Sequence, residues 1–271
     1  MHKDRSMDIA FIGTTRLYGP SVSVRDRAFL LGDGCFETLR VTELGVEGAG
    51  EHISLLRRSA DRLSISGFPS RTQLDRALAE LASQARSEAS MRITLSRGAG
   101  GRGADSAKSE PLTVISLSPL TQARPYPPLT AMTSSVLRND TSPLSTIKST
   151  SYADNLAARR EANSSGADEA LMLNTKGRPA CFAMGNLFVE APDGTWATPP
   201  ESEGVRPGYM RQMILEHLRA RSCPVEIRPL EADELTAPQT RIHATNSLWG
   251  LRAVARLDSR TYETDLSPFG G

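Results

Sequence analysis

The stretch Thr121-Gln122-Ala123-Arg124-Pro125-Tyr126-Pro127-Pro128 constrains this chain most. A proline fixes φ and lacks a backbone N–H, so neither a helix nor a central strand runs through this segment. It reads as a stiff linker that cuts the chain in two. Before it, strands are expected over residues 8–13, 35–41, 90–95 and 112–117, and helices over 51–65 and 72–87. Leu56, Ala60 and Leu63 form one apolar stripe at i, i+4 and i+7. After it, strands are expected over 129–137, 168–174, 181–190, 225–230, 241–247 and 251–257. Helices are expected over 151–164 and from Pro207 to Arg221, with 258–271 as a polar tail. No Rossmann glycine fingerprint and no solenoid-length repeat occurs. The expected architecture is α+β in two domains, 1–120 and 129–271, joined by 121–128, with Lys148 in the second.

Composition narrows the class of protein. The formal net charge is +1, with basic residues scattered rather than blocked, so no global field favours nucleic acid or membrane. Three widely spaced cysteines, Cys35, Cys181 and Cys223, argue against a disulfide framework and a structural zinc site. The four histidines do not cluster at metal-ligand spacing, so no metal is expected. Residues 1–8 are polar, and no run approaches the roughly 18 apolar residues of a spanning helix. The expected setting is a reducing cytosol.

Four stretches carry candidate chemistry. Lys148 is the only cation between Arg138 and Arg159, amid the small hydroxylated residues of Ile147-Lys148-Ser149-Thr150-Ser151-Tyr152. A lysine so placed reads as a Schiff-base amine or as a surface loop residue; the first role requires a neutral amine, which desolvation favours. Gly32-Asp33-Gly34 is a tight turn leading into a strand on which Phe36, Thr38 and Arg40 share one face. Arg40 there either meets a carboxylate or is solvated at a sheet edge. The loop from Ser96 to Gly103 (SRGAGGRG) either cradles an anion or faces solvent as a turn. The helix opening at Pro207-Gly208 presents N–H groups and a positive dipole end, a phosphate site or a helix start that binds nothing.

These motifs, in this order, resemble the class IV aminotransferase family, the fold-type IV (D-amino acid aminotransferase-like) enzymes that use pyridoxal phosphate. The resemblance runs over about residues 8–257: Asp26-Arg27, then Gly32 through Val41; His52 through Ala60; Arg92 through Gly98; Lys148 with Tyr152; Gly166 through Leu171; Gly185-Asn186-Leu187-Phe188; Pro207-Gly208; and Asn246 through Gly250. The Gly-Asp-Gly-Cys-Phe start and the Asn-Ser-Leu-Trp-Gly ending look most like the aminodeoxychorismate lyase branch.

By this resemblance Lys148 would form the Schiff base and shuttle the proton, and Tyr152 would hydrogen-bond the cofactor's phenolic oxygen. The N–H groups of Tyr209 and Met210, with the Ser247 hydroxyl, would face the phosphate. Phe36, Arg40, Arg102 and Trp249 would line the site of a small carboxylate substrate in a cleft formed by the two domains, in a homodimer. Three positions depart from the family pattern: Cys181 for the glutamate at the pyridine nitrogen, Leu55 for a phosphate-binding arginine, and Met210 for a threonine. The implied activity is a pyridoxal phosphate-dependent lyase, releasing pyruvate from aminodeoxychorismate to give 4-aminobenzoate. The alternatives are an aminotransferase of D-amino acids, branched-chain amino acids or amines, and a homologue that has lost the cofactor and is a cofactor-free enzyme or a binding protein.

Overall fold

The computed structural model describes residues 7–17, 21–100 and 109–266. The chain forms two compact units: one holds 1–123 and 147–152, the other 124–146 and 153–271. The split falls inside the proline-rich stretch. The segment carrying Lys148, expected in the second domain, belongs instead to the first unit.

The first unit comprises β1 (Met7–Ile12), β2 (Thr15–Leu17), α1 (Arg27–Leu31), β3 (Gly34–Thr42), β4 (Gly45–Val46), α2 (Ala49–Arg62), α3 (Arg71–Ala82), β5 (Ala89–Ser96) and β6 (Leu112–Pro119). The strands form an antiparallel sheet in the order β2-β1-β6-β5-β3-β4. Side chains alternate across each strand, so one face of β3 and β5 is apolar. Cys35, Leu39, Val41, Met91, Ile93 and Leu95 join Ile53, Leu56 and Ala60 of α2 and Leu74, Leu78 and Leu81 of α3 in one buried cluster. The opposite face carries Phe36, Thr38 and Arg40, paired across strands with Thr94, Arg92 and Ser90. Within the apolar layer, Glu37 meets His52 Nδ1 at 2.9 Å, both side chains 1% exposed.

The second unit comprises β7 (Leu129–Thr133), α4 (Ala153–Ser164), β8 (Glu169–Leu173), β9 (Pro179–Phe182), β10 (Gly185–Glu190), β11 (Trp196–Thr198), α5 (Tyr209–Ala220), β12 (Val225–Ile227), β13 (Arg241–Asn246), β14 (Gly250–Leu257) and β15 (Arg260–Thr261). Strand order is β12-β11-β10-β13-β14-β7-β8-β9, and β9 pairs back onto β10, so six strands close into a ring. Each ring strand contributes to one buried cluster, including Leu129, Leu171, Phe182, Leu187, Ile242 and Val254. Closure pairs both sides of each ring strand, and β11 and β12 extend the sheet outward from β10. The strand-like run over 181–190, expected to be interrupted at Gly185, is a hairpin turning at Ala183-Met184. The tail is pinned in part, since β15 pairs with β14 and the Tyr262 hydroxyl donates to the Leu235 carbonyl. Among the described residues, no helix is long and apolar enough to cross a membrane.

Helix α1 escapes the sequence reading because it has only five residues. Asp26 caps it by accepting from the N–H groups of Ala28 and Phe29. After it, Asp33 accepts from Arg27 Nε at 2.9 Å and from Arg97 Nε at 2.8 Å and Nη2 at 3.1 Å. Burial pushes the Asp33 carboxyl up, but the hydrogen bonds from Arg97 and Arg27 outweigh it and hold the group below the usual carboxylate range. A depressed carboxyl stabilises the fold above its unfolded value, about 3.9, and that contribution is lost as pH falls through the folded value. Asp33→Asn is therefore expected to cost about 1–2 kcal/mol in urea melts at pH 7, after allowance for solvent screening. The difference from wild type should shrink toward pH 3.

Candidate active site

Two glycines bring Lys148 to its place. A Cβ on Gly32, whose φ is +67°, would lie 2.2 Å from Ser151 Oγ, and one on Gly34 would lie 2.5 Å from the Leu95 carbonyl oxygen. Side chains are excluded there, and segment 147–152 lies directly against the start of β3. The Phe36 N–H donates to the Lys148 carbonyl at 2.8 Å, and the Thr150 N–H to the Gly34 carbonyl at 2.9 Å. The Thr150 hydroxyl donates to the Gly32 carbonyl at 2.7 Å. Lys148 is thus built onto a strand, which positions a side chain more firmly than a free loop does.

Around it stands an aromatic and cationic cluster. Lys148 Nζ lies 4.5 Å from the Phe36 ring centre and 5.2 Å from that of Tyr152. The two rings meet edge to face at 5.3 Å. The Arg92 guanidinium lies 3.5 Å from the Phe36 ring centre, with Nε donating to Thr94 Oγ1 at 3.0 Å. Lys148, Tyr152 and Phe36 therefore stand together. Arg92 was passed over as a site residue. The signal was present, because Ser90, Arg92 and Thr94 alternate with Met91, Ile93 and Leu95, marking a polar face.

Arg40 lies on that face too, fully buried, with Nη2 donating to Glu88 at 2.5 Å. Its carboxylate partner is this internal glutamate. Arg102 lies outside the described residues. Leu55 is half-buried on α2, where its carbonyl accepts from the Ser59 hydroxyl. The nearby Arg57 is engaged elsewhere, over the Phe68 ring at 5.0 Å and donating to the Pro69 carbonyl.

The other expected residues lie in the second unit. Cys181 on β9 is buried in a small-residue cluster with Ala158 and Ala162 of α4, Ala180, Ala183 and Val205. Burial pushes its thiol up; the positive charge of Arg138 opposes this and Glu169 reinforces it. The side chain is a neutral thiol at neutral pH. Arg138 is anchored through Nε to the Gly204 carbonyl at 2.9 Å and Nη1 to Asn155 Oδ1 at 3.2 Å. Glu169 is fully buried, and burial raises its carboxyl to about 7, against the Ala170 N–H and Arg159.

Helix α5 begins at Gly208 with no side-chain cap and no acidic residue in its first turn. Met210 packs its side chain against the cluster of Phe188, Trp196, Ile214, Leu215 and Leu218, leaving its backbone to serve the helix start. Arg211 is turned inward, donating to the Pro199 carbonyl at 3.0 Å and to Thr198 Oγ1 at 3.3 Å.

The β13–β14 turn bearing Ser247 and Trp249 is clamped from two sides. Asn246 Oδ1 accepts from the N–H groups of Leu248 and Trp249 at 3.0 and 3.1 Å. Arg124 donates to the carbonyls of Ser247 and Leu248 at 2.6 and 3.1 Å. The expected linker is thus docked at its end, where Arg252 lies 5.5 Å from the Tyr126 ring centre and 5.4 Å from that of Trp249. Trp249 Nε1 is buried without a hydrogen-bond partner. Among the described residues, no group of three or more His, Cys, Asp or Glu is placed to hold a metal ion.

Known proteins share this arrangement of elements. Residues 34–257 match the model of the family described as Amino-transferase class IV. A Methanocaldococcus jannaschii protein named as a branched-chain-amino-acid aminotransferase is 31% identical over 233 residues, 83% of this chain and 79% of its own. The aminodeoxychorismate lyase of Vibrio harveyi is 26% identical over 257 residues, 92% of each chain. A Mycobacterium tuberculosis aminotransferase, described as hypothetical and solved in a PLP-bound form, is 24% identical, with a TM-score of 0.82 over 95% of this chain and 94% of its own. This chain is an enzyme of the class IV aminotransferase family.

Proposed function

We propose that this enzyme is a pyridoxal phosphate-dependent lyase that cleaves aminodeoxychorismate to 4-aminobenzoate and pyruvate. In that reaction a proton leaves the ring carbon bearing the amine and the enolpyruvyl C–O bond breaks. The ring becomes aromatic, and the departing enol takes up a proton to become pyruvate.

The residues present suit the cofactor at three points. Lys148 offers an amine flanked by the Phe36 and Tyr152 rings. Gly208 leaves the start of α5 without a side chain, where a Cβ would lie 2.5 Å from Asn186 Oδ1. The buried Trp249 Nε1 is an N–H donor still lacking an acceptor. When bound, pyridoxal phosphate supplies an aldehyde for the Schiff base and a ring that draws electrons from the substrate's reacting carbon. Lys148 Nζ then accepts the proton from that carbon, and the Tyr152 phenol donates a hydrogen bond that holds the cofactor's phenolic oxygen. Arg92, a cation beside Phe36, holds a substrate carboxylate.

The observation that carries the lyase reading is Cys181. A buried neutral thiol does not hold a proton on the pyridine nitrogen as an ionised carboxylate does, so the ring is a weaker electron sink. Transamination needs that sink to store charge before reprotonation at a second carbon. Elimination needs it less, because the leaving group takes the electrons. The match to the Vibrio harveyi lyase, over 92% of each chain, supports the same reading. Transamination of branched-chain amino acids is the second reading, favoured by the greater identity to the Methanocaldococcus jannaschii relative. A homodimer in which the cofactor is retained completes the proposal.

Two experiments test it. The purified protein with pyridoxal phosphate should show a visible absorbance band that Lys148→Ala removes. The same variant should lose about a thousandfold or more of the 4-aminobenzoate formed from aminodeoxychorismate, followed by its fluorescence. No band even at high cofactor concentration would overturn every cofactor-dependent reading and leave a cofactor-free role. In the second experiment, Cys181→Glu should speed conversion of the bound cofactor to its pyridoxamine form with an amino donor, followed spectrally, while 4-aminobenzoate formation changes less. If wild type already transaminates D-alanine or leucine readily and yields no 4-aminobenzoate, the second reading replaces the first.

A further inference from the structure

The first unit holds a groove of about 860 Å³ between the β3–β4 hairpin, the C-terminal end of α3 and the chain leaving β6. That size is within the range of small-molecule sites. Thr42, in its wall, lies six residues along β3 from Phe36, roughly 20 Å from the lysine cluster at 3.3 Å per residue. We infer that this groove is a second ligand site, for a free amino acid with an aliphatic side chain.

The polar groups of the wall divide into those already engaged and those that are not. Glu88 accepts from Arg40. The Thr42 hydroxyl donates to the Gly45 carbonyl at 3.4 Å and accepts from the Leu44 N–H at 3.2 Å. Glu43 and Arg86 differ, since neither makes a hydrogen bond or an ion pair among the described residues. They line the same groove with opposite charge, Glu43 on the hairpin and Arg86 just beyond α3, yet they do not meet. Their charged atoms therefore stand farther apart than the roughly 4 Å of ion-pair contact. A molecule carrying both an ammonium and a carboxylate bridges such a gap and satisfies each end with a charged hydrogen bond.

The remaining wall suits an aliphatic body. Leu44 is fully exposed at the hairpin tip, and Leu120, Ala82 and Ala85 stand with it along the groove. An aliphatic side chain laid against them removes apolar surface from water on both partners. The groove also shares an ion pair with the face that carries Phe36, because Glu88 in its wall is the carboxylate partner of the buried Arg40.

The test is isothermal titration of L-leucine into the full chain carrying Lys148→Ala, so that chemistry at that lysine adds nothing to the heat. A dissociation constant of about 1 mM or tighter is expected. Glu43→Gln and Arg86→Gln, both at exposed positions, should each weaken it about five- to tenfold, as for loss of one partly screened charged hydrogen bond. 3-Methylbutylamine, which lacks the carboxylate, should bind Arg86→Gln as it binds the parent. 4-Methylpentanoate, which lacks the amine, should bind Glu43→Gln as it binds the parent. Leucine binding that neither substitution changes would place the ligand elsewhere and overturn the inference. No binding at about 10 mM leucine would overturn it as well. Equal weakening of all three ligands by either substitution would mean a lost groove shape and not a lost charge partner, with the same consequence. None of these outcomes bears on the proposed function, whose absorbance band is read on wild type.

Discussion

The arrangement depends first on a strap of six residues, 147–152, hydrogen-bonded to the start of β3. Two of its bonds join backbone groups, Phe36 N–H to the Lys148 carbonyl and Thr150 N–H to the Gly34 carbonyl, and the Thr150 and Ser151 hydroxyls donate to the Gly32 carbonyl. Backbone bonds fix direction as well as distance, so Lys148 meets Phe36 and Tyr152 in one arrangement. The strap in turn requires Gly32 and Gly34, since a Cβ at either would occupy its path or the neighbouring strand. The turn between those glycines is held by Asp33, on which Arg27 and Arg97 converge. A carboxylate accepting from two guanidinium groups thus sits beneath the candidate catalytic lysine, although it touches none of the reacting atoms.

The second unit solves a different problem, that of presenting donors at the ends of elements. Helix α5 starts without a cap, and the turn after β13 has its own N–H and carbonyl groups committed to Asn246 and Arg124. The clamping makes that turn a rigid feature. The ring of strands encloses its own apolar cluster, and α5 packs through Ile214, Leu215 and Leu218 against Phe188 and Trp196 in a separate one.

The departures at Leu55, Cys181 and Met210 differ in weight once their surroundings are seen. Met210 costs a hydroxyl, but its side chain packs in a core cluster and its backbone still begins the helix. Leu55, where the resemblance implies an arginine, is a half-buried apolar side chain on α2. Cys181 changes the chemistry itself, because burial, reinforced by the nearby Glu169, keeps its thiol neutral.

The ordered motifs were enough to determine the family and the α+β class, and they singled out Lys148, Tyr152 and Phe36 as candidates. Those features are encoded locally, by period-two alternation on β3, by the Gly-Asp-Gly turn and by the proline-rich stretch that ends one unit. Other features were decided only by tertiary structure. The strap joined the first unit rather than the second, because its bonds run to β3, more than 100 residues earlier in the chain. Arg40 found its carboxylate in Glu88, a partner that the strand pattern does not name. Arg92 emerged as a candidate, and Arg124 as a clamp, because a guanidinium on a long flexible stem is placed by what surrounds it and not by its neighbours in sequence.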